Sequence, residues 1–204
     1  MGLKIGVAIP THPQRITNGM LQRAYRSAAF QRLRPAQVNI AIDLNAKGAP
    51  HTRQQALDGI TQPWTAFLDS DDEFLPEHLE VLANAAEETG ADYVYSWFHL
   101  WQFRRKLDFD PVFPVTHFTE PWDRDNPRQT TMTVLVRTDL AKEVGFWDVT
   151  DETTFPDGHR AGEDWLFTLK CNELGKIHHV VQRTWNWYHH GANTSGRAGQ
   201  GDAQ

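Results

Sequence analysis

The stretch FLDSDDEFLPEHLE, residues 67–80, runs from an apolar segment through three closely spaced aspartates into a helix that starts with a proline. The aspartates are Asp69, Asp71 and Asp72. Carboxylates this close repel one another and raise each other's pKa, so the arrangement is costly unless positive charge or hydrogen-bond donors lie among them. We therefore expect a cation or donors at this place. The alternative is that two of the aspartates only cap the helix that begins at Leu75 or Pro76, which is the commoner explanation for an isolated Asp-x-Asp pair.

Apolar segments alternate with helical patterns through the first hundred residues. Four of these segments read as strands: IGVAIP at residues 5–10, VNIAID at 38–43, WTAFLD at 64–69 and DYVYSWFHL at 92–100. Helical spacing lies between them, from about Asn18 to Leu33, in HTRQQALDGI, and in PEHLEVLANAAEETG, where Pro76 stands in the first turn and Gly90 at the end. Such alternation predicts an α/β fold with a doubly wound, mainly parallel sheet.

The second half of the chain has a less regular pattern. Residues 99–130 show no clean period and predict an irregular region over one edge of the sheet. TMTVLVR reads as a strand, TDLAKEVG as a short helix capped by Thr138, and GEDWLFTLKCNELG as a longer helix. KIHHVV and TWNWYHH read as two late strands, and the small polar residues from 191 to 204 predict a flexible tail. No linker divides the chain, so we expect one domain over residues 1–190.

Composition excludes several classes of protein. The net charge of −6 over 204 residues offers no electrostatic footprint for nucleic acid or for an anionic membrane. One cysteine, Cys171, excludes an internal disulfide and any zinc site built from several cysteines. The apolar run near the N-terminus turns polar too soon for a secretory signal or a membrane span. These features predict a soluble protein of the cytoplasm.

Polar residues close the first three predicted strands. The first strand ends in Pro10, Thr11 and His12, the second in Asp43, and the third in the aspartates of residues 69–72. Ligands of open parallel sheets bind at the carboxyl ends of the strands, so these side chains should meet in one crevice. An Asp-x-Asp pair offers hard oxygens to Mg²⁺ or Mn²⁺ while leaving positions open for substrate phosphates. The pattern therefore predicts a site for a metal ion and a nucleoside diphosphate.

A series of motifs strengthens this interpretation. In order along residues 4–195 they are VAIPTHPQR, Asp43, HTRQQAL, FLDSDD, VGFWD, AGEDWLFTLKCNELGKI and WNWYHHGANTS. Their order and rough spacing resemble the inverting family-two glycosyltransferases of the GT-A fold. The resemblance implies a nucleotide-binding half at residues 1–98 and an acceptor-side half at 99–190. It also implies metal-dependent transfer of a sugar, with inversion, from a nucleotide-sugar donor, most commonly UDP-linked, to a hydroxyl of a glycan or other acceptor.

The resemblance also assigns roles to individual residues. Those assigned to the donor are Pro10, Thr11, His12, Arg15, Asp43, Arg53, Asp69 and Ser70. Those assigned to Mn²⁺ or Mg²⁺ are Asp69, Asp71, His189 and His190, with at least one of the two histidines expected to contact the metal or a phosphate. Thr11 and Asp43 match the contacts to base and ribose, and Arg53 matches an arginine that faces the nucleotide. Two departures stand out: Gln54 replaces the usual asparagine after that arginine, and no arginine follows Tyr188.

The Glu163-Asp164 pair matches the catalytic carboxylates of the family. Asp164 falls at the place of the general base, and Glu163 would orient it or bind acceptor hydroxyls. Taken alone, the pair could equally be acidic residues that favour a helix N-terminus through the macrodipole. Each histidine could likewise be structural rather than a ligand.

Two other functions remain possible from the sequence. A sugar nucleotidyltransferase would need a glycine-rich, basic loop after the first strand, where PTHPQRITNG supplies only Arg15 and Gly19. A catalytically silent carbohydrate- or nucleotide-binding module of the same fold would need no base, so an intact Asp164 argues against it. A retaining transferase would also need no base at that position.

Overall fold

The computed structural model describes residues 2–102, 105–107, 132–146 and 162–190. Within them it contains eight strands and six helices. The strands are β1 (Ile5–Thr11), β2 (Gln37–Ile42), β3 (Trp64–Phe67), β4 (Glu73–Phe74), β5 (Tyr93–Gln102), β6 (Arg105–Leu107), β7 (Val134–Arg137) and β8 (Ile177–His189). The helices are α1 (Pro13–Thr17), α2 (Met20–Ala29), α3 (Ala49–Asp58), α4 (His78–Thr89), α5 (Thr138–Val144) and α6 (Glu163–Leu174).

The strands form one mixed sheet in the order β2-β1-β3-β7-β5-β8-β4, and β6 pairs with β5 beside this path. β2, β1 and β3 are mutually parallel, as are β5 and β8. β7 runs antiparallel between β3 and β5, and β4 pairs antiparallel with β8. The prediction of a mainly parallel α/β sheet is therefore confirmed, with one antiparallel strand in its interior.

Helices cover both faces of the sheet, which explains why its central strands are apolar throughout. One core lies against α2 and α4 and includes Val7, Leu68, Leu82 and Trp185. The other lies against α3, α5 and α6 and includes Leu57, Phe67, Val136, Leu140 and Phe167. Every residue of β1 is buried, as expected for a strand covered on both sides. The charged side chains of Asp43 and Asp69 lie just beyond the ends of β2 and β3.

Three helix boundaries differ from the prediction. The predicted helix from Asn18 to Leu33 corresponds to α2 alone, which starts after Gly19, whose φ of +80° leaves the helical region, and ends at Ala29. The short helix α1 before Asn18 was not predicted. Pro76 lies before α4 rather than in its first turn, since α4 begins at His78. Thr138 is not a cap, because its buried hydroxyl lies 2.8 Å from that of Thr65. A threonine hydroxyl can cap a helix or bond to a buried partner, and here it bonds to Thr65 on strand β3.

The two predicted late strands are one strand. KIHHVV and TWNWYHH both belong to β8, which pairs in parallel with β5 along its whole length. The register shifts next to Trp97, so the polar residues between the two apolar segments are accommodated by an irregularity and not by a turn. Residues 99–102 and 105–107 of the region predicted to be irregular extend β5 and form β6. The rest of that region, Trp147 in the VGFWD motif, and the predicted tail at 191–204 lie outside the described residues.

Candidate functional site

The ends of three adjacent strands bring the first group of predicted residues together. β1 lies between β2 and β3, so Thr11, Asp43 and Asp69 close neighbouring strands at the same edge. The Asp43 amide donates a hydrogen bond to the Thr11 carbonyl oxygen at 2.8 Å, which fixes the two ends side by side. Pro10 and Thr11 are buried in β1. The predicted convergence of strand ends is confirmed.

The three aspartates form a compact cluster. One carboxylate oxygen from each of Asp69, Asp71 and Asp72 lies within 4.8 Å of the others. Asp71 and Asp72 are buried, and burial together with the charges of Asp71 and Asp69 raises the pKa of Asp72 well above its usual range. None of them caps α4, because Glu77 precedes that helix and no side chain caps it. The helix-capping alternative is therefore wrong.

An arginine and a histidine lie directly against Asp71. Its Oδ2 atom is 2.7 Å from a guanidinium nitrogen of Arg15 and 3.2 Å from Nε2 of His190. Arg15 also donates to the buried Ser70 hydroxyl at 3.2 Å. Burial alone would raise the pKa of Asp71, but the His190 hydrogen bond and the Arg15 charge hold it below its usual range. The repulsion between the aspartates that the sequence implied is thus relieved in part by the Arg15 charge and the His190 hydrogen bond.

Arg53 joins the aspartate cluster to the start of α6. It is buried on α3 and donates to both carboxylate oxygens of Asp69, at 3.0 Å each. It also makes an ion pair with Glu163. Burial would lower the pKa of Arg53, yet the charges of Asp69 and Glu163 raise it above its usual value. One guanidinium therefore connects residues from two halves of the chain that are far apart in sequence.

Asp164 stands beside this bridge at the first turn of α6. Its Oδ1 accepts a hydrogen bond from the Trp165 amide at 2.8 Å. Burial raises the pKa of Asp164 to about 6, the Arg53 charge opposes this rise, and the Glu163 charge adds to it. A Cβ atom on Gly162 would lie only 2.7 Å from Asp164 Oδ1, so the carboxylate occupies space that glycine leaves open.

Other predicted residues have local partners. The Asp43 carboxylate accepts hydrogen bonds from the Lys47 and Gly48 amides, both at 2.8 Å, and these bonds lower its pKa. His12 is partly buried after β1, and burial followed by the Arg15 charge lowers its pKa. The main chain of His189 pairs with β5, whereas its side chain lies outside the described part of the chain.

Two residues that hold the cluster were not predicted from the sequence, Arg23 through its side chain and Tyr188 through its main-chain amide. Arg23 on α2 donates to the Asp71 carbonyl oxygen, and its guanidinium lies 3.9 Å from the centre of the Tyr188 ring. The Tyr188 amide donates to Asp72 Oδ1 at 3.0 Å. No local pattern singles out Arg23, because its partners lie far away in sequence. Asp72 itself was visible in the trio of aspartates, but a single sequence does not distinguish it from a solvated acid.

The donor set of this cluster fits a divalent cation. Three carboxylates whose oxygens lie within 4.8 Å of one another can share one ion, and hard oxygens suit Mg²⁺ and Mn²⁺. The imidazole of His190, which lies against Asp71, suits Mn²⁺ better than Mg²⁺. The high pKa of Asp72 marks a place where added positive charge would be favourable.

Among the described residues, no helix combines the length and the apolar character needed to cross a membrane.

Comparison with known proteins identifies the family. The sequence profile described as Glycosyl transferase family 2 matches residues 25–138. Similar solved structures include S. aureus TarS 1–349, with a TM-score of 0.68, 19% sequence identity, and coverage of 91% of this chain and 60% of that one. Its complex with UDP-GlcNAc gives a TM-score of 0.69 at 19% identity over 94% of this chain and 60% of that one.

The TarS complex with UDP is similar to the same degree, with a TM-score of 0.67, 19% identity, and coverage of 92% and 61%. The chain thus spans about 60% of the length of TarS 1–349. No curated protein matches it. At this identity the structural likeness shows the GT-A fold alone, while the profile covers more than half of the chain. The chain belongs to glycosyl transferase family 2.

Proposed function

We propose that the protein transfers a sugar from a nucleoside-diphosphate sugar, linked to UDP, to an acceptor hydroxyl with inversion at the anomeric carbon. The observation that carries this proposal is the Arg53 bridge, which holds Asp69 of the aspartate cluster and Glu163 beside Asp164 in one site. Binding of a metal-diphosphate group and removal of a proton both need carboxylates. Here the carboxylates for the two tasks lie on either side of Arg53. The TarS structures with UDP and UDP-GlcNAc support the choice of donor.

The strand ends form the donor half of the proposed site. Pro10, Thr11 and His12 would line the nucleoside. Each carboxylate oxygen of Asp43 accepts one main-chain amide bond and has a further lone pair, with which Asp43 would accept a hydrogen bond from the ribose. Arg15 lies on Asp71 and Ser70, so a small rotation would turn its guanidinium toward a phosphate.

The metal half of the proposed site consists of Asp69, Asp71 and His190, together with the neighbouring Asp72. His189 is the other histidine proposed as a ligand of the metal or a phosphate. Mn²⁺ or Mg²⁺ held there would neutralise charge on the leaving diphosphate. The arginines on Asp69 and Asp71 would hold these carboxylates in place before the donor arrives.

Asp164 is the proposed general base. A pKa of about 6 leaves it ionised at neutral pH and still basic enough to accept the proton of an attacking hydroxyl. The oxygen so freed bonds to the anomeric carbon, and the bonding pair of the breaking bond leaves with the diphosphate. Glu163, which pairs with Arg53, would hold the donor side of the site in register with this base.

Gly162 offers a test of the position of Asp164. Replacing Gly162 with alanine should lower the transfer rate by about tenfold or more, because a misplaced base loses its alignment with the hydroxyl. The backbone of Gly162 is extended, with φ of −75°, so alanine fits the main chain and only the carboxylate must move. Thermal melting should therefore change little. Unchanged turnover in this variant would show that the carboxylate position does not matter.

The acceptor, a glycan or another hydroxyl compound, and a location in the cytoplasm stay predictions from the sequence.

Calorimetric titration with UDP tests the proposed function. We expect UDP to bind tightly with Mn²⁺ and much more weakly with EDTA, and UDP-GlcNAc to be hydrolysed slowly when Mn²⁺ is present. Equal affinity in EDTA would contradict the metal role. Failure to bind UDP with any cation would contradict the donor assignment, and a preference for nucleoside triphosphates would favour a nucleotidyltransferase. Tight binding without any hydrolysis or transfer would favour a silent binding module.

A further inference from the structure

The aspartate cluster runs directly into the edge of the sheet. β4 follows Asp72 without a gap and consists of two residues that pair with β8, Glu73 opposite Asn186 and Phe74 opposite Trp185. A two-residue strand makes few main-chain hydrogen bonds, so side-chain contacts must contribute much of what fixes β4 against β8. The position of the aspartates therefore depends on how the end of β8 is fixed.

Glu73 makes the central side-chain contacts at this edge. Its Oε2 atom accepts a hydrogen bond from the Tyr188 hydroxyl at 2.7 Å and another from the Asn186 side-chain amide at 3.1 Å. Asn186 in turn accepts from the indole nitrogen of Trp101 at 2.9 Å. A carboxylate that accepts from two side chains of one strand joins β4 to β8 with directional, charge-assisted bonds.

Tyr188 connects Glu73 to the aspartate cluster. Its amide donates to Asp72 Oδ1 at 3.0 Å, and His190, two residues later, reaches Asp71. The ring is held from other directions as well, by the guanidinium of Arg23 and by stacking on Trp101 at 5.7 Å between centroids. The same residue that anchors the end of β8 therefore also sets the orientation of the most deeply buried aspartate.

We infer that Glu73 and Tyr188 are positioning residues that set the affinity and selectivity of the cation site. This inference rests on the proposed function. Asp72 is buried among like charges and would turn away from them if its donor moved, so a fixed Tyr188 amide holds its carboxylate at the cluster. Mg²⁺ demands nearly ideal octahedral geometry, so a loosened site should lose Mg²⁺ more than Mn²⁺.

Tyr188→Phe is the main test, because it removes the hydroxyl that bonds to Glu73 and keeps the ring and the main-chain amide. UDP affinity is measured by calorimetry with Mn²⁺ and with Mg²⁺. We expect a loss of about tenfold with Mn²⁺ and a larger loss with Mg²⁺, in line with other residues that orient metal ligands. Tyr25→Phe is the matched control, since Tyr25 is an exposed tyrosine on α2, and it should change neither affinity.

Glu73→Gln provides a second variant with the same readouts. Glutamine keeps one acceptor oxygen but not the charge, so the loss of UDP affinity should be smaller than in Tyr188→Phe. The loss should again be larger with Mg²⁺ than with Mn²⁺. If either variant lowers the melting temperature and leaves both affinities and their ratio unchanged, the contact is only structural and the inference is wrong. If the wild type itself fails to bind UDP with either cation, the proposed function fails and the inference fails with it.

Discussion

Asp71→Asn is expected to abolish the cation-dependent part of UDP binding. The Asp71 carboxylate is buried in the middle of the cluster sequence, and its Oδ2 lies against Arg15 and His190, so its charge would face a bound cation directly. Asparagine keeps the shape but loses the charge, and the affinity for UDP with Mn²⁺ should fall by about 100-fold, or ~2.7 kcal/mol. Calorimetry in EDTA should give the same weak affinity as the wild type.

The fold should survive this change because two effects oppose each other. Asp71 has a depressed pKa, so it stabilises the fold above its unfolded value near 3.8, and this contribution disappears when the charge is removed. Asp72 has a raised pKa, so its ionised form destabilises the fold as pH rises, and removing the Asp71 charge relieves that cost. Asp58→Asn, at an exposed site on α3, is the control for loss of one negative charge. Equal UDP affinity with Mn²⁺ in the wild type and Asp71→Asn would refute the metal assignment.

The parts of the fold that the sequence predicted are those with a local physical cause. Strands covered on both faces are mainly apolar, so β1, β3 and β5 stand out as runs between helical patterns. β2, at the sheet edge, was recognised from a similar run, although Ile40 and Ile42 are exposed. A parallel sheet brings strand ends together, so the meeting of Thr11, Asp43 and Asp69 follows once the strands are recognised. These inferences need only periodicity and the side-chain chemistry at the end of each run.

The contacts that complete the site have no local cause. Arg53 and Glu163 are 110 residues apart, and Arg23 and Asp71 are 48 apart. Which arginine meets which carboxylate depends on how α2, α3 and α6 pack on the sheet, and that packing is specified by the whole core. Glu73 was unremarkable for the same reason, since an acidic residue after an aspartate cluster looks like part of the same solvated run.

The errors in the elements have a similar origin. β8 was divided in two because the polar residues near Arg183 interrupt its apolar pattern, yet Val181 is 59% exposed, so this part of the strand does not need a continuous apolar face. The predicted helix at residues 18–33 is longer than α2 because helical periodicity does not detect Gly19, where a positive φ separates α2 from α1.

Asp164→Asn should have the largest effect on catalysis. Asparagine keeps an oxygen that can accept the Trp165 amide, so α6 should begin as before. It cannot accept a proton at neutral pH, so donor binding should persist while transfer falls by roughly two to four orders of magnitude. Hydrolysis of UDP-GlcNAc with Mn²⁺ gives a readout before the acceptor is identified, because water must also lose a proton as it attacks.

The pH profile separates a lost base from a disturbed site. The wild-type kcat/KM should fall as pH decreases through about 6, where Asp164 becomes protonated, and a bound cation would move this point lower. In Asp164→Asn the residual rate should not show that step. Because a raised pKa means that the ionised carboxylate costs stability above pH 6, the variant should also be at least as stable as the wild type at pH 8.

Glu163→Gln completes the comparison, because it changes the neighbouring carboxylate at the same helix start. It weakens the ion pair with Arg53 and should lower the rate less than Asp164→Asn while retaining the acidic step in the pH profile. Disturbance of the helix start alone would lower both rates together, so the order of the two variants carries more weight than either magnitude. Near-normal turnover by Asp164→Asn would refute the inverting mechanism, and a retaining transferase, which needs no enzymic base at this position, would then explain the geometry of the donor half better.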